Sequence, residues 1–167
     1  MNSRILVPID TTHENDDWGR ASLKTACEIA RKLDGLIHVM SVIPRNLLEG
    51  EYPDLYTDRV AEGVGKKLEA LVKRDCPSDT RIETSVEEGS ICNNILGVAR
   101  ELPADVIVVA GRGPLMRDHL LGSKAGYIAL HAPCSVLVVR ESQTTASGRF
   151  LKYTPAQREK HPSSVSA

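Results

Sequence analysis

Two short segments near residues 110–124 have the residue types that a phosphate-binding loop needs. Ala110, Gly111, Arg112 and Gly113 follow an apolar run, and Gly122, Ser123 and Lys124 begin a helical pattern. Glycines let backbone N–H groups approach a ligand closely, and a helix N-terminus presents free N–H groups and a positive dipole end. The pattern therefore predicts a phosphate cradle. The structural alternative is a glycine turn followed by a helix that Ser123 caps.

Two familiar nucleotide motifs do not fit this segment. A Walker loop requires Gly-Lys-Ser/Thr, whereas the order here is Gly122-Ser123-Lys124. A dinucleotide fingerprint follows the first strand of a fold, and the pattern beginning at Gly111 has Met116 in place of the third glycine. The site therefore needs another explanation.

Apolar runs alternate with helical patterns along the chain. Strands are predicted at 4–10, 36–43, 81–87, 106–110 and 135–140, and the alternation within 81–87 is typical of an edge strand. Helices are predicted from Asp16 or Asp17 to just before Gly35, over 57–75, after a Ser90 cap, and through 125–130, with 44–56 as a connection. This order predicts an α/β fold: an open, doubly wound, five-stranded parallel sheet with helices on both faces.

Sheets of this kind bind ligands beyond the carboxyl ends of their strands, at the point where the strand order reverses. Asp10, Val42 and the segment after Ala110 are predicted to lie at those ends. Asp10 has a plainer interpretation as a helix or turn cap, and Val42 as an ordinary core residue.

Length and composition favour one globular domain. The chain has 167 residues, of which 41% are hydrophobic and 26% charged, with a formal net charge of −1. A near-neutral charge gives no electrostatic reason to expect binding to nucleic acid or to a membrane surface. Without a membrane-length apolar run or a signal-peptide pattern, a cytoplasmic protein is expected. We predict a domain at 1–142 and a polar C-terminal tail at 143–167.

The four cysteines form no Cys-x-x-Cys pair: they are Cys27, Cys76, Cys92 and Cys134. Cys27 and Cys92 fall within predicted helices, where a free cysteine usually serves as a small core residue. Structural thiols are therefore expected, with redox or metal-binding roles as the alternative and no protein metal site predicted.

Five motifs, in order, resemble the universal stress protein family across residues 3–140. They are 5–10 (ILVPID), 38–43 (HVMSVI), 86–90 (VEEGS), 105–109 (DVIVV) and 131–140 (HAPCSVLVVR). The resemblance implies strand order 3-2-1-4-5 and an ATP site, with AMP or ADP as alternatives and Mg or Mn accompanying the nucleotide. The implied site residues are Pro8, Ile9, Asp10, Val42, Ala110, Gly111, Arg112, Gly113, Gly122, Ser123 and Lys124.

The glycine loop departs from the family's nucleotide-binding pattern in one respect. Eight residues separate Gly113 from Gly122 where that pattern has nine, and Ala110 stands in place of the first glycine. A subgroup of small enterobacterial stress proteins has a similarly shortened loop and includes ATP-binding members. ATP binding is therefore still expected.

The resemblance favours a stress-response or signalling protein that acts through nucleotide-dependent association rather than catalysis. The alternatives are a nucleotide-free interaction module and a slow ATPase, since no residue is clearly placed to orient an attacking water. A homodimer through strand 135–140 is predicted, because this apolar strand would otherwise form an exposed sheet edge; a regulatory protein is a further candidate partner. The alternative cover for that edge is the tail.

Overall fold

The computed structural model describes residues 3–11, 17–45, 53–111 and 122–140. The strands are β1 (Arg4–Pro8), β2 (Leu36–Ile43), β3 (Arg81–Glu88), β4 (Val106–Ala110) and β5 (Ser135–Val139). The helices are α1 (Asp17–Leu33), α2 (Pro53–Asp75), α3 (Ile91–Glu101) and α4 (Ser123–His131). The predicted tail at 143–167 lies outside the described residues.

All five strands form one parallel sheet in the order β3-β2-β1-β4-β5, which confirms the predicted fold and strand order. The first half of the chain builds outward from β1 to β3, and the second half builds from β4 to β5 on the other side. The strand order therefore reverses between β1 and β4, and this is the position at which a doubly wound sheet opens for a ligand.

Each face of the sheet has its own apolar core. One core joins β1 and β2 to α1 and α2 through residues such as Val39, Leu23 and Leu68. The other joins the opposite strand faces to α3 and α4 through residues such as Met40 and Ile95. Because both faces are covered, the central strands are predominantly apolar, as parallel strands commonly are; Ser41 in β2 is a buried exception.

Helix α2 begins earlier than the sequence predicted. The prolines favoured a connection through residue 56, but the helix begins at Pro53. Proline is tolerated in the first turn of a helix, because the N–H group that it lacks has no partner there in any case. The remainder of the predicted connection, 46–52, lies outside the described residues.

The end of α1 shows why a glycine follows it. Asp34, not Gly35, takes the left-handed backbone conformation, with φ of 49°. A Cβ atom at Gly35 would lie 2.9 Å from the carbonyl oxygen of Ser3. The same oxygen accepts a hydrogen bond from the N–H of Leu36 at 2.8 Å. Gly35 therefore permits the close approach of α1 to the start of the sheet.

A buried carboxylate joins α1 to α2. Asp75, at the end of α2, accepts hydrogen bonds from Arg20 at 2.9 and 3.2 Å and from Arg74 at 2.9 and 3.3 Å. The hydrogen bond from Arg74, with the further bond and charge of Arg20, lowers the pKa of Asp75 to about 2 despite its burial. Asp75 is therefore ionised at neutral pH and holds the two helices in register.

Candidate functional site

The sheet opens between β1 and β4 at the carboxyl ends of these strands. The two strands pair with each other at Ile5–Val106 and at Leu6–Ile107, although β1 continues to Pro8 and β4 continues to Ala110. On their other sides the two strands stay paired to their ends, β1 with β2 as far as Pro8 and β4 with β5 as far as Ala110. The two strands therefore separate at the predicted switch point.

Pro8 explains where this opening begins. The N–H of Ile9 donates to the carbonyl of Met40 on β2 at 2.8 Å, so the backbone of Ile9 faces β2. Successive residues of a strand direct their backbone groups to opposite neighbours, and Pro8 therefore faces β4. Since proline has no N–H, it cannot donate the hydrogen bond that would continue the β1–β4 ladder. The proline thus marks the end of pairing on this side.

The N-terminus of α4 lies beyond the end of β4 and is capped by a glycine. Gly122 is buried at the N-cap with φ of −54° and ψ of 145°, and no side chain of the described residues caps the helix. The interpretation of Ser123 as the cap is therefore wrong, because Ser123 is already the first helical residue. The N–H groups of the first turn of a helix have no partner inside the helix, so they can donate to a ligand, a side chain or water.

Ser123 and Lys124 lie in the first turn of α4 and are both exposed. No acidic residue occupies that turn. The positive end of the helix dipole, the serine hydroxyl and the lysine ammonium group therefore lie within one turn of backbone. This combination of charge and donors suits the oxygens of a phosphate.

Gly111 has a structural role at the end of β4, in addition to any role in binding. Its N–H donates to the carbonyl of Val139 at 2.7 Å, so this donor is used within the sheet. A Cβ atom at Gly111 would lie 3.0 Å from side-chain carbons of both Val138 and Arg140. The glycine therefore lets the chain leave β4 while passing close to β5. Ala110 precedes it and pairs with Val139.

The remaining described site residues divide between core and surface. Val42 is 9% exposed and packs in the core beside α3 and α4, one residue before β2 ends. Ile9 is 3% exposed, and its side chain packs in the core beside α1. Asp10 is exposed at the end of β1 and has an interaction within the protein. Asp10 is thus exposed at this edge, whereas the side chains of Val42 and Ile9 belong to the two cores.

Two polar residues near the separation of β1 and β4 were not identified from the sequence. The hydroxyl of Thr11 lies 3.1 Å from that of Ser41, and Ser41 is 2% exposed on β2. This hydrogen bond ties the chain beyond Asp10 to the neighbouring strand. A serine inside the apolar run from Val39 to Ile43 is the signal that would have indicated it.

Arg112 and Gly113, together with the rest of 112–121, lie outside the described residues. Within the parts of the chain that are described, no three His, Cys, Asp or Glu side chains converge as a metal site would require. No helix among those residues is long and apolar enough to span a membrane. The described site therefore consists of backbone donors, a lysine, three hydroxyl-bearing residues (Ser123, Thr11 and Ser41), one carboxylate and apolar side chains.

A doubly wound sheet open at its switch point, beside a bare helix N-terminus, belongs to a class of folds that hold phosphate-bearing ligands. The family model of the "Universal stress protein family" matches residues 1–140. Universal stress protein G of Shigella flexneri is 33% identical over 145 residues, which is 84% of this chain and 100% of the relative. The chain belongs to the universal stress protein family.

Solved structures agree on the fold. A universal stress protein UspA from Lactobacillus plantarum is 23% identical with a TM-score of 0.61, covering 83% of this chain and 97% of that one. A universal stress protein in complex with cAMP has a TM-score of 0.56 at 19% identity, covering 84% and 98% of the two chains. One from Archaeoglobus fulgidus in complex with dAMP has a TM-score of 0.54 at 16% identity, covering 83% and 97%.

Proposed function

We propose that this protein binds an adenine nucleotide, ATP first among the candidates, and that the bound state alters its association with partners in a stress response. The observation that carries the proposal is the separation of β1 from β4 beside the uncapped N-terminus of α4. Two structural neighbours of the same family are complexes with cAMP and dAMP, which supports an adenine nucleotide. AMP and ADP are the other candidates.

The proposed ligand lies across the open edge of the sheet. Its phosphates contact the backbone of Gly122 and the side chains of Ser123 and Lys124, because that turn supplies donors and positive charge. The nucleoside lies at the ends of β1 and β2, where Val42 offers apolar surface for the base and Asp10 a carboxylate for a ribose hydroxyl. Arg112 and Gly113 complete the phosphate contacts in this proposal.

A divalent cation, Mg or Mn, enters this proposal as a companion of the phosphates rather than as a resident of the protein. Asp10 is the carboxylate at the described edge of the crevice that could approach such an ion. One carboxylate suits Mg²⁺, which keeps several waters and shares phosphate oxygens with its nucleotide. Slow hydrolysis of ATP is the second candidate activity, because fast phosphoryl transfer needs a residue that orients the attacking water.

A cytoplasmic location, which the sequence predicts, forms part of the proposal.

The first test is whether the protein carries a nucleotide. We expect the purified protein to release ATP, ADP or AMP on mild denaturation, as measured by chromatography of the supernatant. Calorimetric titration of the stripped protein with ATP and magnesium should then show one site per chain. Protein that is nucleotide-free as purified and gives no heat with ATP, ADP or AMP would favour the nucleotide-free interaction module. Steady ATP consumption faster than roughly 1 s⁻¹ would instead make it an enzyme.

We propose further that the protein forms a homodimer through β5. This strand lies at one edge of the sheet, so one row of its backbone groups has no strand beside it among the described residues. Three of the four large exposed hydrophobic residues of the described chain lie on β5 or on the preceding helix α4: Tyr127 (44% exposed), Leu130 (83%) and Leu137 (38%). An apolar edge of this kind is normally covered or paired.

Replacing Leu137 with lysine is expected to turn the dimer into a monomer at micromolar concentration, because a charge on an edge strand opposes pairing. Light scattering measures the mass. Leu33→Lys is the matched control: Leu33 is 52% exposed and is the last residue of α1, outside both β5 and α4, and its variant should remain dimeric. A wild-type protein of monomeric mass would refute the dimer and favour the tail as the cover of this edge.

A further inference from the structure

Two cysteines that are 49 positions apart in the sequence meet in the fold. Cys27 lies in α1, and Cys76 directly follows α2; their sulfur atoms are 2.7 Å apart. Cys27 is 3% exposed in the core between the sheet and the two helices, and Cys76 is half-buried against the same core. Sequence spacing alone predicted separate structural thiols, whereas the fold makes these two a pair.

The surrounding contacts hold both sulfur atoms in place. The N–H of Cys76 donates to the carbonyl of Val72 at 2.9 Å, so the chain at Cys76 continues the last turn of α2. The neighbouring Asp75 binds Arg20 of α1 through two hydrogen bonds. The end of α2 is therefore fixed against α1 beside the sulfur pair. A disulfide bond is about 2.05 Å long, so closure needs only a small side-chain adjustment.

We propose that Cys27 and Cys76 form an intramolecular disulfide when the protein meets a peroxide, which makes this pair a reversible oxidation site. The pair is distinct from the nucleotide site, because it lies between α1 and the end of α2. Intracellular disulfides of this kind are usually transient and serve redox sensing.

One molecule of hydroperoxide oxidises one pair of thiols to a disulfide. The hydrogen bond between the two thiols lowers the pKa of Cys27 and raises that of Cys76, so the thiolate forms on Cys27. This thiolate attacks one peroxide oxygen and breaks the O–O bond; the sulfur becomes a sulfenic acid, and the departing hydroxide takes up the proton that Cys27 released. The Cys76 thiol then attacks the sulfenic sulfur, forms the S–S bond and releases a second water. Two thiols lose two electrons, and the peroxide is reduced.

The disulfide is expected to stabilise the fold. It closes the chain between residues 27 and 76, a segment that contains β2 and α2. Closing a long segment reduces the conformational entropy of the unfolded chain. We therefore expect the melting temperature of the oxidised protein to exceed that of the reduced protein by roughly 5–10 °C.

The test uses the full-length protein treated with hydrogen peroxide and then alkylated. We expect the number of free thiols to fall from four to two, with a peptide containing Cys27 joined to one containing Cys76 in the non-reducing digest. Dithiothreitol should restore all four thiols and reverse the rise in melting temperature. Cys76→Ser should lose the cross-link and the temperature shift, and the peptide that contains Cys27 should gain the mass of one oxygen, because no second thiol is present to resolve the sulfenic acid.

The matched controls are Cys92→Ser and Cys134→Ser, in which half-buried thiols outside the pair are replaced. Both variants should still form the link between Cys27 and Cys76. Wild-type protein that keeps four thiols after peroxide treatment would overturn the proposal. A disulfide between Cys92 and Cys134, or sulfinic acid at Cys27 without any cross-link, would overturn it equally. Because these readouts need no nucleotide, they remain decisive whether or not ATP binds.

Discussion

Replacing Gly122 with valine is expected to weaken nucleotide binding at least about 100-fold. Gly122 is the N-cap of α4, is buried, and has φ of −54° and ψ of 145°. This is a conformation that any residue adopts, valine included. The glycine is therefore not needed for the backbone itself. What it leaves open is the approach of a ligand to the first N–H groups of the helix, which a β-branched side chain would block.

Calorimetry with ATP on the stripped protein measures the loss, and circular dichroism checks the fold. Gly97→Val is the matched control, because Gly97 lies in α3 with no atom within 4 Å of a built Cβ. That variant should bind ATP like the wild type. Unchanged affinity in Gly122→Val would show that the phosphates lie elsewhere. A nucleotide that still binds the wild type but not Gly97→Val would point to general instability instead.

The strands of the sheet could be predicted from the sequence, because each one is encoded by a short run of consecutive residues. Each buried strand is a short apolar run. The edge strand β3 alternates in sequence, and in the structure all of its residues are exposed or half-buried, with Glu83 exposed and Ile82 half-buried. Helix boundaries were less predictable. Pro53 begins a helix, although proline elsewhere ends one, and only the packing of α2 on the sheet decides between these outcomes.

The site could be predicted only in outline. Glycine spacing and strand ends, which are visible in the sequence, indicated the edge of the sheet at which β1 and β4 separate; that a ligand binds there stays a prediction. The role of each site residue could be assigned only from the three-dimensional structure. Gly111 passes close to β5, and the side chain of Ile9 packs in the core. Ser123 is the first residue of α4 and does not cap it. The contact between Cys27 and Cys76 was invisible for the same reason, because it depends on how two helices pack.

Pro8 links the fold to the site most directly, because it controls where the sheet opens. The backbone of Pro8 faces β4 but has no N–H to donate, and the backbone pairing between β1 and β4 stops at Leu6 and Ile107. If the opening is the binding crevice, restoring that donor should close it. Stability and binding should then change in opposite directions, which distinguishes this effect from ordinary damage to the fold.

Pro8→Val is therefore expected to weaken ATP binding about 10-fold, since a new hydrogen bond to β4 competes with the open crevice. The same bond should add about 1 kcal/mol of stability, which exceeds the few tenths of a kcal/mol lost when the unfolded chain gains freedom at this position, so a small net gain is expected. Calorimetry measures the affinity, and urea unfolding measures the stability.

Pro77→Val is the control, because Pro77 lies in the turn between α2 and β3, at the opposite edge of the sheet. It should lose a few tenths of a kcal/mol to about 1 kcal/mol of stability and bind ATP unchanged. Pro8→Val should therefore unfold at a higher urea concentration than Pro77→Val while binding ATP more weakly. Wild-type affinity in Pro8→Val, together with the predicted gain in stability, would mean that the crevice can close without cost to the ligand. The nucleotide would then have to be sought away from the β1–β4 opening.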